Sequence, residues 1–224
     1  MKKRIKQKID EHKKIKNLIR ILINYFSFNK IKGKKYNFLN IYGTMRKVNI
    51  NLLGSDNEIV VGNNVKLFNT NINICGNGNK IIIEEGCYIN NGDICIEDNE
   101  CTIFIGRNTH ICGKTHLACI EGSSIYIGEG CLFSSEICIR TGDSHSILKK
   151  GTSNRINPSL SVKIGNNVWI GNKVTILKGS EIFDSSIVGT GAIVTKKFTE
   201  TNVILVGNPA KVVKRDVEWI GPRI

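Results

Sequence analysis

The sequence VKIGNNVWIGNKVTILKGSEIFDSSIVGTGAIV, residues 162–194, repeats one pattern every six positions. A branched aliphatic residue marks each unit, and a small or branched residue follows it four positions later. Neither an α-helix nor a hairpin has this period, whereas a hexapeptide can form one flat side of a parallel β-coil with its aliphatic side chain inward. Three sides make one turn, so the stretch predicts a solenoid. Its predicted core positions are Ile164, Ile170, Ile176, Ile182, Val188 and Val194.

The N-terminal half carries the same repeat inside a longer one. Aliphatic residues recur there every 22 positions, which is three hexapeptides plus four residues, at Leu39, Val61, Ile83, Ile105 and Ile127. The extra residues fall at one corner, in segments such as GNGNK and EGSS that predict short turns. The next interval, from Ile127 to Ile164, is 37 residues, so this corner is enlarged. A long excursion costs ordering entropy, so we expect the loop 143–161 to be functional.

The positive charge is concentrated at the N-terminus. The net charge of the 224 residues is +13, and residues 1–35 hold 13 Lys and Arg against Asp10 and Glu11, a net +11. A nucleic-acid-binding face would need positive charge along the body, so we predict no nucleic acid partner. Apolar residues spaced three and four apart in residues 15–26 predict a helix. The roles open for it are packing on the body or a neighbouring subunit, then peripheral membrane contact through residues 1–35, and RNA binding last.

The cysteines and histidines argue against a metal protein. The eight cysteines form no CxxC pair and no zinc-finger spacing, and the N-terminus has no small-residue cleavage site. We therefore expect reduced thiols in a cytoplasmic protein, with a place at the inner membrane surface left open. The longest apolar run near the start is shorter than the ~20 residues of a bilayer span, so no transmembrane helix is predicted. His110 and His116 lie six positions apart, on sides that face different directions, so we expect that no metal is required.

Three motifs add a resemblance to a known family. They are DSHSI at 143–147, VKIGNNVWIGNKVTILKG at 162–179, and IVGTGAIVTKKF at 187–198 with VGNPAKVV at 206–213. With these motifs, residues 39–212 resemble the hexapeptide-repeat acyltransferases, and most of all the bacterial sugar and polysaccharide O-acetyltransferases. The resemblance implies an all-β fold, a left-handed parallel β-helix. It also implies a homotrimer with active sites between adjacent subunits, acetyl-CoA as co-substrate, and direct transfer in a ternary complex.

The chain divides into three predicted parts. Residues 1–38 form a basic, partly helical segment, and residues 39–205 form the catalytic β-helix. Residues 206–224 form a C-terminal tail in which a short helix is one possibility.

His145 is the predicted general base. Acetyl transfer from a thioester to a hydroxyl needs a base whose pKa is near neutral, and imidazole is naturally suited to this task. Asp143, two residues earlier, either orients the ring of His145 or caps the turn through its own backbone. A backbone N–H near residues 169–171 is a candidate donor to the oxyanion.

The acceptor is predicted to lie near the enlarged loop. Trp169 faces outward in the hexapeptide register, where it either lines the acceptor or pantetheine site or packs in a subunit interface. Arg140 and Lys149 are assigned to acceptor binding. Together with Lys150 and Arg155, Lys149 would suit an acidic polysaccharide, although a solvated loop explains these charges equally well.

The CoA site is predicted from the C-terminal turns. The resemblance assigns CoA contacts to Asn172, Thr190, Thr195, Lys211 and Lys214, of which the two lysines would meet phosphate and the two threonines would line the pantetheine groove. We add Gly171 and Lys196 to this set, although a solvated basic face is the alternative for the lysines.

Three functions are therefore open. The leading one is an acetyl-CoA-dependent O-acetyltransferase that acts on a sugar or a bacterial surface polysaccharide. The second is an N-acetyltransferase of an amino sugar, which would use the same base and the same coil. The third is a non-enzymatic β-solenoid that serves as a binding module, and it would leave the position of His145 unexplained.

Overall fold

Three parallel sheets wind the chain into a three-sided coil. The computed structural model describes residue 15 and residues 17–222, and these residues form 25 strands, numbered here in chain order. Along the coil, strands three places apart in the sequence pair in parallel, so every turn adds one strand to each sheet. The predicted all-β fold, a parallel β-helix of hexapeptide repeats, is confirmed.

The three sheets form the three sides of the coil. Sheet A contains β1 (Lys30–Lys32), β4 (Asn49–Leu53), β7 (Asn71–Cys75), β10 (Gly92–Ile96), β13 (Thr115–Cys119), β16 (Ile137–Arg140), β19 (Thr175–Ile176) and β22 (Ile193–Val194). Sheet B contains β2 (Phe38–Ile41), β5 (Glu58–Val61), β8 (Lys80–Ile83), β11 (Thr102–Ile105), β14 (Ser124–Ile127), β17 (Val162–Ile164), β20 (Glu181–Ile182) and β23 (Lys197–Phe198). Sheet C contains β3 (Thr44–Arg46), β6 (Lys66–Phe68), β9 (Tyr88–Asn90), β12 (His110–Ile111), β15 (Leu132–Phe133), β18 (Trp169–Ile170), β21 (Ile187–Val188), β24 (Ile204–Val206) and β25 (Lys211–Lys214).

The predicted inward positions stack between successive turns and exclude water from the interior. In sheet B, Val61 pairs with Ile83, and the column continues through Ile105, Ile127 and Ile164. Burial of a branched aliphatic side chain contributes roughly 1.5–3 kcal/mol to the free energy of unfolding, so such columns hold the turns together. The six core positions predicted from residues 162–194 are all buried, two in each sheet: Ile164 and Ile182, Ile170 and Val188, Ile176 and Val194.

The first turn begins earlier than residue 39 and is shorter than predicted. β1 pairs with β4, so the coil already includes Lys30–Lys32. Leu39 pairs with Ile59, and Ile41 takes the position beside Val61 that the 22-residue spacing predicted for Leu39. The reason is a shorter corner, because only residues 42–43 link β2 to β3, whereas residues 62–65 link β5 to β6.

A helix over residues 17–26 lies against the open edge of sheet C with its polar side. Arg20 Nη1 donates to Tyr42 O at 2.7 Å. Asn24 Nδ2 donates to Gly43 O at 3.1 Å, and its Oδ1 accepts from Met45 N at 2.7 Å. β3 is the first strand of its sheet, so these side chains satisfy backbone groups that no earlier strand pairs. The helix is confirmed, but packing of its apolar face on the body is not what the structure shows.

Buried asparagines hold the short corners between sheets A and B. The side chains of Asn57 and Asn79 are fully buried. Asn79 Nδ2 donates to Asn57 Oδ1 at 2.9 Å, and Asn79 Oδ1 accepts from Cys101 N at 2.8 Å in the next turn. Each amide therefore satisfies backbone polar groups that the turn would otherwise leave buried without partners.

The C-terminal tail reverses direction and returns along the coil. Gly207, at φ +99°, lies between β24 and β25, which pair antiparallel. Asn202 Nδ2 donates to Val217 O at 3.1 Å, which holds the following segment against the coil. The short helix considered for the tail does not form within residues 206–222, because β25 and these contacts use the backbone instead. No helix in the described residues is long and apolar enough to cross a membrane.

Candidate active site

The enlarged corner is an ordered loop between β16 and β17. Leu148 and Arg155 form an antiparallel bridge, Ile156 N donates to Ile147 O at 2.8 Å, and Lys149 N donates to Asn154 O at 2.9 Å. These bonds make a small hairpin of the loop. His145 lies at the base of this hairpin with its side chain exposed. The predicted base is therefore open to a substrate while the chain on either side of it is held.

Asn157 fixes the backbone around His145. Its side chain is 6% exposed. Nδ2 donates to His145 O and to Asp143 Oδ2, both at 2.8 Å. Oδ1 accepts from Ile147 N at 2.7 Å. One buried amide thus forms hydrogen bonds to Asp143, to Ile147 and to the backbone carbonyl of His145 itself.

Asp143 fastens the loop to the next turn of the coil. Its Oδ2 accepts from Lys178 Nζ at 2.6 Å, and the same ammonium donates to Asn157 O at 3.1 Å and Pro158 O at 3.2 Å. The hydrogen bond from Lys178, followed by that from Asn157, lowers the pKa of the Asp143 carboxyl below its usual value. No hydrogen bond joins this carboxylate to the His145 ring in the described chain. The partners found for Asp143 are those of a loop anchor rather than of a group that orients the imidazole.

Arg155 braces the loop from the other side. Its guanidinium lies 2.7 Å from Glu121 Oε1, and its Nη2 donates to Asn157 O at 3.1 Å. The hydrogen bond from Arg155 also lowers the pKa of Glu121. Its guanidinium is therefore engaged inside the loop, whereas Lys149, Lys150 and Arg140 are exposed. Those three side chains are available to an anionic acceptor.

Trp169 meets the C-terminal tail on the outside of sheet C. It is 39% exposed, and the centroid of its ring lies 6.2 Å from that of Trp219. Trp219 Nε1 donates to Asn167 O at 2.7 Å, which holds the tail residue in place. Sequence reasoning did not identify Trp219 as a site residue. The available signal was a second tryptophan in the C-terminal tail, but its target depends on where the tail lies.

The predicted CoA residues lie in three places. Gly171, Asn172 and Thr190 lie at the corner between sheets C and A, where Asn172 O accepts from Gly191 N at 2.8 Å. Thr195 and Lys196 follow β22 at the corner between sheets A and B, and Lys211 and Lys214 lie on β25. All but Gly171 and Asn172 are exposed.

Asn172 has a free buried acceptor. Its Oδ1 is buried and has no hydrogen-bond partner. Such an atom is costly unless a ligand or water supplies a donor. The neighbouring Gly171 is closely packed, since a Cβ there would lie 2.8 Å from Thr190 N and Val188 O. Gly171 thus serves close packing between turns, and the Asn172 amide oxygen is the acceptor that this corner offers to a ligand.

We predicted that a backbone N–H near residues 169–171 could bind the oxyanion. This prediction is wrong for two of the three N–H groups. Trp169 N donates to Ser186 O at 2.9 Å, and Gly171 N donates to Val188 O at 2.7 Å. Hydrogen bonds between successive turns use these donors, so neither is free to bind a developing negative charge.

His110 and His116 lie on different sheets. His110 is on β12 of sheet C, and His116 is on β13 of sheet A, where its Nδ1 lies 2.9 Å from Asp93 Oδ2. Within the described residues, no group of three or more His, Cys, Asp or Glu side chains is arranged to hold a metal ion.

Known O-acetyltransferases resemble this chain in sequence. No family model matches it. It is 34% identical over 170 residues to the polysialic acid O-acetyltransferase of Neisseria meningitidis, across 76% of this chain and 78% of that protein. It is 31% identical to the polysialic acid O-acetyltransferase of Escherichia coli O1:K1 across 52% of this chain, and 33% identical to the galactoside O-acetyltransferase of Escherichia coli K12 across 50% of it. The matches span only 38% and 53% of those two relatives.

Two solved structures share most of the fold. The polySia-specific acetyltransferase NeuO superposes with a TM-score of 0.80 at 26% identity, covering 87% of this chain and 88% of NeuO. The polysialic acid O-acetyltransferase OatWY superposes with a TM-score of 0.68 at 31% identity, covering 84% of this chain and 89% of OatWY.

Proposed function

Since the chain belongs to the hexapeptide-repeat O-acetyltransferases, we propose that it transfers the acetyl group of acetyl-CoA to a hydroxyl of a sugar or surface polysaccharide, with His145 as the base. The observation that carries this proposal is the loop around His145. Asn157, Lys178 and Arg155 hold an exposed histidine on the only corner between sheets A and B, within the described chain, that is enlarged to this extent. Ordering such a loop costs conformational entropy, and the loop adds no aliphatic column to the core.

The proposed chemistry needs one base and one proton. The His145 imidazole takes the proton of the acceptor hydroxyl as its oxygen attacks the thioester carbonyl. The bond from carbonyl carbon to sulfur then breaks, and the proton passes to the departing sulfur. Transfer is direct in a ternary complex, without a covalent enzyme intermediate. Asp143 acts in this proposal by fixing the loop through Lys178.

The C-terminal turns are proposed to hold CoA. The pantetheine arm carries amide N–H groups, which suit the unpartnered Oδ1 of Asn172. Thr190 and Thr195 offer hydroxyls on exposed turns, and Lys196, Lys211 and Lys214 offer charge for phosphates. The co-substrate supplies the activated acetyl group.

The active site is proposed to lie between subunits of a homotrimer. His145 lies at the corner between sheets A and B, and Asn172 lies at the corner between sheets C and A. One chain therefore presents the base and the proposed pantetheine site on different corners. We expect a trimer in sedimentation at micromolar concentration, and a monomer with full activity would contradict this part of the proposal.

An acidic polysaccharide is the acceptor class that we propose. Two relatives are named for polysialic acid, and Arg140, Lys149 and Lys150 expose positive charge around the loop. The test incubates the full chain with acetyl-CoA and polysialic acid, other acidic polysaccharides or neutral oligosaccharides. Acetyl transfer is measured by mass spectrometry and by release in mild alkali, which cleaves an ester but leaves the amide of an N-acetyltransferase intact. CoA release that does not depend on any acceptor would contradict the proposal.

A further inference from the structure

The N-terminal helix presents its apolar side to the solvent. Its polar residues Arg20 and Asn24 contact the edge of sheet C, as described above. The side chains on the rest of its circumference and just after it are largely exposed. They form what we call the apolar helix surface: Ile15, Leu18, Ile19, Ile21, Leu22, Ile23, Tyr25, Phe26 and Phe28, each between 42% and 81% exposed.

This orientation is the reverse of that in an ordinary surface helix. An amphipathic helix usually buries its apolar stripe against the core and turns its charges to water. Single exposed apolar residues are common, but a contiguous group of large ones marks a contact surface. The exposure reaches 72% at Phe26 and 81% at Phe28. The surface therefore needs a partner that accepts both aliphatic and aromatic side chains.

The charges in the stretch of sequence that carries this surface have one sign. Residues 12–55 contain ten Lys and Arg and no Asp or Glu. Lys30, Lys32, Lys34 and Lys35 follow the helix directly, and all four are exposed. An apolar surface flanked in the chain by positive charge complements a partner with an apolar interior and a negative rim. The surface of an anionic bilayer has both properties.

We infer that the apolar helix surface binds the surface of an anionic lipid bilayer. The helix lies in the interface plane, its apolar side chains reach the acyl boundary, and the following lysines meet the lipid phosphates. Symmetric pairing with a second copy through the same surface would bring two acid-free, positively charged segments together. A soluble polyanion would satisfy the lysines but would leave the apolar side chains in water. This inference is independent of acetyl transfer.

The test measures sedimentation of the full chain with vesicles. One set contains phosphatidylcholine and the other phosphatidylcholine with phosphatidylglycerol. We expect affinity at least about tenfold higher for the anionic vesicles, and a loss of about tenfold between 50 and 500 mM salt. The variant L18E/L22E should bind the vesicles at least about tenfold more weakly, because it removes apolar side chains that would reach the acyl boundary. Lys32→Glu/Lys35→Glu should lose a similar factor and most of the salt dependence.

The control is Leu53→Glu, which places one glutamate on a leucine of the coil that is 58% exposed on β4. It should bind vesicles like the unaltered chain. Circular dichroism and the melting temperature report whether each variant keeps the coil. The inference is overturned if both vesicle types bind equally, or if L18E/L22E binds as well as Leu53→Glu. It is also overturned if L18E/L22E leaves vesicle binding unchanged but dissociates an oligomer, because a second copy would then cover the surface.

Discussion

Short and enlarged corners connect the same two sheets, and each type buries an asparagine. Asn79, in a short corner, bonds to Asn57 in the turn before and to Cys101 in the turn after. Asn157, in the enlarged corner, bonds mainly within its own loop, to Asp143, His145 and Ile147. The first amide joins turns to one another, whereas the second shapes a loop around one histidine. A buried amide can therefore join turns or shape a loop, according to whether its partners belong to the repeat.

Replacing His145 tests the enlarged corner most directly. His145→Ala should reduce acetyl transfer by a factor on the order of 100 to 10,000, because it removes the proposed general base. The melting temperature should not change, since the side chain is exposed and makes no core contact. Ser144→Ala is the matched control and should retain activity. Full turnover in His145→Ala would end the proposed mechanism.

Replacing Asn157 should cost less than removing the base. Asn157→Ala leaves the base in place but frees the backbone of residues 143–147, so we expect kcat to fall by roughly 10- to 100-fold. KM for acetyl-CoA should stay near its original value, because the proposed CoA residues lie elsewhere. Asn154→Ala, at the exposed tip of the hairpin, is the control. Equal kcat in Asn157→Ala and Asn154→Ala would show that the loop needs no such support.

Replacing Asn79 should affect stability rather than turnover. Asn79→Ala leaves Cys101 N without its acceptor in the interior and removes one of the two hydrogen bonds that Asn57 Oδ1 accepts, so the free energy of unfolding should fall by about 2 kcal/mol. Turnover well below the melting temperature should stay within about twofold. Asn77, which is exposed in the same corner, provides the matched alanine control. Loss of turnover comparable to that of Asn157→Ala would erase the distinction between the corners.

Acid should loosen the enlarged corner before the short ones. The pKa of Asp143 is lowered in the folded chain, so its bond to Lys178 contributes fully above the usual carboxyl pKa of about 4. That contribution is lost as the pH falls through the lowered pKa. The protection of the amides of residues 143–161, relative to the intrinsic exchange rate at each pH, should therefore fall below about pH 4 while residues 76–80 stay protected. Between pH 5 and 8 the Asp143–Lys178 bond should keep its full strength. In Lys178→Met the amides of residues 143–161 should be less protected from exchange over the whole pH range.

Much of the fold could be predicted because each repeat contacts only its neighbours. The six-residue period identified the inward positions, and the 37-residue interval identified the enlarged corner. The period failed in the first turn, at Leu39, where a corner is two residues shorter. It also says little about polar partners. Asp143 looked equally suited to orient a ring or cap a turn, and the ammonium it binds, that of Lys178, comes from a turn 35 residues away.

The sequence by itself determined the coil, its register over most turns and the place of His145, because periodic burial of aliphatic side chains leaves few other folds. The tertiary structure decided which polar groups meet. Asn157 and Lys178 became loop supports, Trp219 reached Trp169, and the N–H groups of Trp169 and Gly171 were taken by the next turn. It also decided that Arg20 and Asn24 face the coil while the apolar side of their helix faces outward. Hydrogen bonds are short and directional, so their partners depend on where distant segments lie, which a local pattern does not contain.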